Sequence, residues 1–129
     1  MYLKLYLLLG MIFLHIIDDF TLQGILAQMK QKKWWETAVD SSELDMYKYD
    51  YIAALIIHSF SWTFMIMLIP FLYGIITGQL HLFYFFVFFM NLFIHAHIDD
   101  LKANRKIINL CTDQFVHVVQ IIVTWYLIV

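Results

Sequence analysis

Four long apolar stretches set the pattern of this chain, at residues 2–27, 51–77, 80–98 and 107–129. Each is close to the about 20 residues that an α-helix needs to cross hydrocarbon. The pattern predicts an all-α protein, a four-helix transmembrane bundle forming a single integral membrane domain over 1–129. Pro70 falls inside the second stretch, where it kinks a helix in a way that neighbouring helices tolerate. The first stretch carries His15, Asp18 and Asp19 and is followed by no small-residue cleavage site. It therefore reads as a retained helix rather than a signal peptide.

Residues 28–50 form the one extended polar stretch and hold Lys30, Lys32, Lys33 and Lys48. The connection between the third and fourth stretches holds Lys102, Arg105 and Lys106, whereas the one near Thr77–Gln79 has no basic residue. Four spans put the two basic connections on one side, and an excess of Lys and Arg marks that side as cytoplasmic. The expectation is a cytoplasmic loop 28–50, both termini on the outer side, and a multi-pass protein of the bacterial inner membrane. Trp34, Trp35, Tyr47, Tyr49 and Tyr51 suit an interfacial belt on the loop, which reads either as an amphipathic interfacial segment or as a partner-binding loop.

Composition agrees with a partner that is the lipid bilayer. The chain is 63% hydrophobic and 14% charged, with a mean hydropathy of +0.75, whereas soluble domains are about half apolar and a quarter charged. A net charge of -2 offers no basic patch for nucleic acid. With Cys111 as its single cysteine, the chain can form neither an intramolecular disulfide nor a cysteine-only zinc site.

The polar residues inside the spans are patterned. His15, Asp19 and Gln23 recur every four residues, which at about 100° per residue places them on one helix face. Asn91, His95, Asp99 and Lys102 share a face of the third span, as do Asn109, Asp113, His117 and Gln120 on the fourth. The second span contributes His58. With a rise of about 1.5 Å per residue, His15, Asp19, His58, His95, Asp99, Asp113 and His117 fall in one slab between the inner interface and mid-membrane. Ionisable groups at that depth are costly unless they are paired or wet, so they should meet inside the bundle.

Imidazoles and carboxylates gathered in this way suit a divalent transition metal, zinc first, with iron or manganese as alternatives, as one or two ions. All seven residues are candidate ligands. Asp19, Asp99 and Asp113 are also candidates for a catalytic base, and Gln23 and Gln114 for orienting ligands or substrate. Lys102 either binds a phosphate or pairs with Asp99. Asp18 lies about 100° around the helix from Asp19 and is expected to approach a loop lysine. His97 and Asp100 read as an interfacial pair, His81 as interfacial, and the Phe run 83–89 as lipid-facing or packing surface.

The order of these residues resembles a small family of bacterial and phage integral-membrane proteins of unknown function. Its pattern is H-x3-D-F-x-L-Q, a lone His in the second helix, H-x3-D-x2-K, then D-Q-x2-H. This chain reads HIIDDFTLQ at 15–23, His58, HAHIDDLK at 95–102 and DQFVH at 113–117. The resemblance covers nearly the whole chain and implies the same fold and site positions, without supplying an activity. The leading functional expectation is a metal-dependent hydrolase acting on a lipid-like or lipid-linked substrate near the inner leaflet. One alternative is a metal-ion or proton transporter or channel, for which four short helices call for a homo-oligomer. A second is a small regulatory or phage-exclusion protein with a structural metal.

Overall fold

A computed structural model describes residues 2–129. Seven helices follow one another, α1 (Tyr2–Ile17), α2 (Leu26–Met29), α3 (Lys32–Ala38), α4 (Leu44–Tyr47), α5 (Asp50–Thr77), α6 (Leu82–Ala103) and α7 (Leu110–Ile128), and the described residues contain no strand. Four helical segments are long and apolar enough to cross a membrane: Tyr2–Leu22, Leu44–Thr77, Leu82–Ala103 and Leu110–Ile128. The chain thus has the helices of a multi-pass membrane protein. α5 packs against α1 and α6, and α7 against α6 and α1, closing a four-membered bundle.

The ends of the first and third spans differ from expectation. The first span ends at Leu22 rather than 27, because α1 passes into a wider π turn at Asp18–Leu22 and Gly24 then takes a positive φ of 49°. The third continues to Ala103 rather than 98, carrying Asp99, Asp100 and Lys102 on its last turns. Pro70 lies within an unbroken α5, which stops at Gly78 in the left-handed region; the Gln79 amide reaches Gly74 O at 2.8 Å. Asn109, expected on the polar face, instead caps α7 by accepting from the Thr112 amide at 2.9 Å.

The half of the bundle near the 78–81 turn is filled by apolar side chains: Met11, Ile66, Met67, Tyr84, Val87 and Ile121 are buried in one cluster. Gly74 lets α6 come close there, since a Cβ at that position would lie 3.0 Å from the Tyr84 hydroxyl. Phe85, Phe86, Phe89 and Phe93 turn outward, which suits a helix bathed in lipid. In the Phe run only Tyr84, Val87 and Phe88 are buried. The other half of the bundle is polar, and the 23–49 segment lies over it, with α2 packed against α5.

One side chain fastens that segment. Asn104 donates to Lys30 O at 3.1 Å, accepts from the Lys32 amide at 2.8 Å and donates to Asp100 at 2.8 Å. Asp100 also pairs with Arg105 at 2.9 Å, while His97 is exposed, so the expected His97–Asp100 pair is not formed. Asn104→Ala is expected to loosen the 23–49 segment without unfolding the bundle. Limited proteolysis in detergent should show faster cleavage near Lys30–Lys33; unchanged cleavage would remove Asn104 from this role.

Candidate metal centre

Four spans deliver the polar side chains to one end of the bundle. His15, Asp18, Asp19, His58, His95, Asp99, Asp113 and His117 are all buried. α5 brings His58, α6 brings His95 and Asp99 one turn apart, and α7 brings Asp113 and His117 one turn apart. The predicted faces therefore converge as their spacing requires.

Two groups have the geometry to hold a metal ion. In one, ligand atoms of Asp19, His58 and His95 all lie within 4.8 Å of one another; in the other, those of His95, Asp99 and His117 do. His58 Nε2 is 3.2 Å from His95 Nε2, 3.5 Å from Asp19 Oδ1 and 3.3 Å from Asp99 Oδ2. His117 Nε2 is 3.5 Å from Asp99 Oδ1. Ligands about 2.0–2.1 Å from a tetrahedral ion stand about 3.3 Å from each other. These four separations are close to the edge length of such a tetrahedron, while His95 Nε2–Asp99 Oδ2 is wider at 3.8 Å. Asp99 faces one group with Oδ2 and the other with Oδ1.

Several of these atoms have no hydrogen-bond partner although they are buried: Asp19 Oδ1, Asp113 Oδ1 and both nitrogens of His117. Buried polar atoms without partners are costly in hydrocarbon. Lone pairs turned inward on these atoms are what a cation would satisfy.

The remaining residues hold these in place. Gln114 donates to Asp19 Oδ2 at 2.9 Å and to Asp113 Oδ2 at 3.1 Å, contacts that an orienting role would use. Gln23 turns away and donates to the backbone carbonyl of Asp19, so it stays within its own turn. His15 stands outside both ligand groups: its Nδ1 accepts from Trp62 Nε1–H at 2.7 Å and lies 3.6 Å from Asp19. Asp113 is also outside them, 3.3 Å from His117 Nε2 through Oδ1 and bonded by Lys102 through Oδ2. Lys102 thus pairs primarily with Asp113 and stands 3.8 Å from Asp99.

Two participants escape the spacing rules. Asp18 was expected near a loop lysine; it is instead fully buried, accepting from Ser61 Oγ at 2.6 Å and facing His58 Nδ1 at 3.8 Å. The π turn is the reason. Its i→i+5 bonding, seen at Gln23 N to Asp18 O, turns adjacent residues through a smaller angle than an α-helix does, so Asp18 and Asp19 both face inward. The loop lysine goes elsewhere. Lys30 is buried, and its Nζ lies 2.5 Å from Asp99 Oδ2. No local spacing links residues 69 positions apart. Trp62 was more legible, one turn beyond His58 on the same face; its ring stacks on His95 with centroids 4.1 Å apart.

No family model matches the chain, and neither a curated protein nor a solved structure matches it.

Proposed function

We propose that this chain is a membrane-embedded metalloprotein whose centre hydrolyses a lipid-like or lipid-linked substrate. The observation that carries the reading is the set of inward-facing imidazole and carboxylate atoms at tetrahedral-edge separations, several without any other partner. Zinc fits His and Asp donors best, with iron and manganese as alternatives and one or two ions as the count. Asp19, His58, His95, Asp99 and His117 are the holding residues. Such an ion polarises a carbonyl or phosphoryl oxygen and lowers the pKa of water to about 7.

The protein's own groups then have distinct tasks. His58 Nδ1 faces Asp18, itself fixed by Ser61, at 3.8 Å, where a small closure would make the carboxylate–histidine support that tunes ligand basicity. Asp113, outside both ligand groups but beside His117, is placed to take a proton. Lys102, one-quarter exposed, lies at the end of the bundle where a headgroup would enter.

A groove of about 380 Å³ between α6 and α7 favours a substrate with a hydrocarbon tail. Its walls include Phe86, Met90, Ile94 and Val123; Asn91, Gln120 and Thr124 also line it but bond one another, so the exposed wall is nearly all apolar. Asn91 lies one turn from His95, and Gln120 about one turn from His117. A tail lying in the groove would bring its headgroup to the centre. The apolar cluster in the opposite half favours a site open at one end over a pore through one copy. The basic residues of the loop and of the 104–109 connection favour the cytoplasmic side for this end, with both termini outward; a bacterial inner membrane is what the family resemblance implies.

The competing reading is a structural metal in a closed site, favoured by the complete burial of His58, His95 and His117. Turnover separates the two. Metal-loaded protein in nanodiscs is expected to hydrolyse short-chain lipid esters or phosphoesters. Asp113→Asn should lower the rate by about 10²–10⁴-fold with metal content intact. Loaded protein that is inactive on both ester classes would sink hydrolysis and leave the structural metal.

A further inference from the structure

Two ammonium groups reach the two oxygens of one carboxylate. Lys30 Nζ lies 2.5 Å from Asp99 Oδ2, and Lys102 Nζ lies 3.8 Å from Asp99 Oδ1. Lys30 Nζ contacts the oxygen that also faces His58 Nε2 at 3.3 Å, so a metal bound between His58 and Asp99 would meet the ammonium there. Two cations on one carboxylate oxygen repel each other at close range. Metal at that oxygen would therefore favour movement of the Lys30 ammonium away from it. The Lys30 backbone does not leave with it, because Asn104 clamps its carbonyl and the Lys32 amide. The freed ammonium stays within a side chain's reach of the centre.

Charge counting indicates what it meets. Asp18, Asp19, Asp99 and Asp113 bring four negative charges, and Lys30 and Lys102 two positive ones. One divalent ion makes the cluster neutral; two make it positive by two. An ammonium displaced from its carboxylate in a low-dielectric end of the bundle needs a new anion. A phosphoryl group suits it: several oxygens can meet the metal and both lysines at once, and lysine binds phosphate well as a point charge. A neutral carboxylic ester would offer the displaced Lys30 ammonium no counterion, while Lys102 would keep Asp113.

We infer that Lys30 and Lys102 form the anion subsite of the centre and that its substrate class is a phosphoryl compound. The inference rests on the metalloenzyme reading. It assigns Lys30, from a loop far away in sequence, a specificity-determining role.

The test uses full-length, metal-loaded protein in nanodiscs, titrated separately with inorganic phosphate and with short-chain phosphatidate. Wild type should bind at least one of them. Tighter phosphatidate binding identifies a lipid headgroup as the source; equal binding identifies free phosphate. Lys30→Met and Lys102→Met should each weaken binding by roughly tenfold or more, the worth of a charge-assisted hydrogen bond, with metal stoichiometry unchanged. Lys30→Arg should retain most of the affinity, which a loss through misfolding would not allow. Metal uptake by wild type without binding of either probe, or Lys30→Met binding as tightly as wild type, would overturn the inference alone. Failure of wild type to take up metal would overturn the parent reading and this one together.

Discussion

Asp99→Ala is expected to abolish stoichiometric metal binding and to release the 23–49 segment in the same variant. Asp99 is where the site's halves meet. Through Oδ2 it faces Lys30, His58 and, at 3.8 Å, His95; through Oδ1 it faces His117 and Lys102. A partner that merely orients a ligand is worth about 10–100-fold in metal affinity. Loss of a carboxylate that belongs to one ligand group and also faces His58 of the other should exceed that. The variant also leaves Lys30 with a buried charge and no counterion, a situation that costs about 3–5 kcal/mol when the charge stays inside. The side chain can avoid that cost by swinging into water, taking the segment from its seat. Competition against a chelator reads the first effect and protease sensitivity near Lys30 reads the second. Retained metal in Asp99→Ala would show that Asp99 only pairs with lysines. Asp99→Asn separates the effects: it keeps the shape and removes the charge, so metal should still be lost while less of the packing is disturbed.

The second large effect is on stability. Trp62→Ala should lower stability by about 3–5 kcal/mol, the range for a buried aromatic truncated in a core, and should bring the melting temperature in detergent down by about 10 °C or more. Trp62 is wholly buried and joins the two halves of the molecule. On one side it packs in the apolar cluster; on the other it stacks on His95 and donates to His15. Lipid surrounds this protein, so burial as such drives little; the loss lies in contacts and in the void left behind. Trp62→Phe should keep the stack and lose mainly the hydrogen bond to His15, about 1 kcal/mol. A Trp62→Ala variant melting with wild type would mean that the polar end is held by the carboxylate–lysine pairs alone.

Much of the fold was legible for a simple reason. Hydrocarbon requires long apolar helices, and those leave an unmistakable record in the chain. The faces were legible too, because His95 and Asp99, or Asp113 and His117, are one turn apart on regular helices. What escaped had physical causes that local spacing does not carry. The π turn at Asp18–Leu22 changes the angle between neighbours, which brought Asp18 inward. Gln23 lies at the end of that turn, and its amide was taken by the Asp19 carbonyl. The place of Lys30 was set by an asparagine clamp on another helix. Lys30 was legible only as a loop charge; its approach to Asp99 needed tertiary structure. His15 shared the predicted face, yet its Nδ1 is engaged by Trp62, so position on a face did not distinguish a ligand from its neighbour.

Whether this cluster holds metal is decided by elemental analysis of the detergent-purified protein. Wild type offered zinc, iron and manganese during purification, then desalted, should retain one or two equivalents of a divalent transition metal. A His95→Ala, His117→Ala double variant that elutes as a folded species should retain none. Folded wild type without stoichiometric metal would contradict the account and leave a lysine-neutralised, hydrogen-bonded polar core in its place.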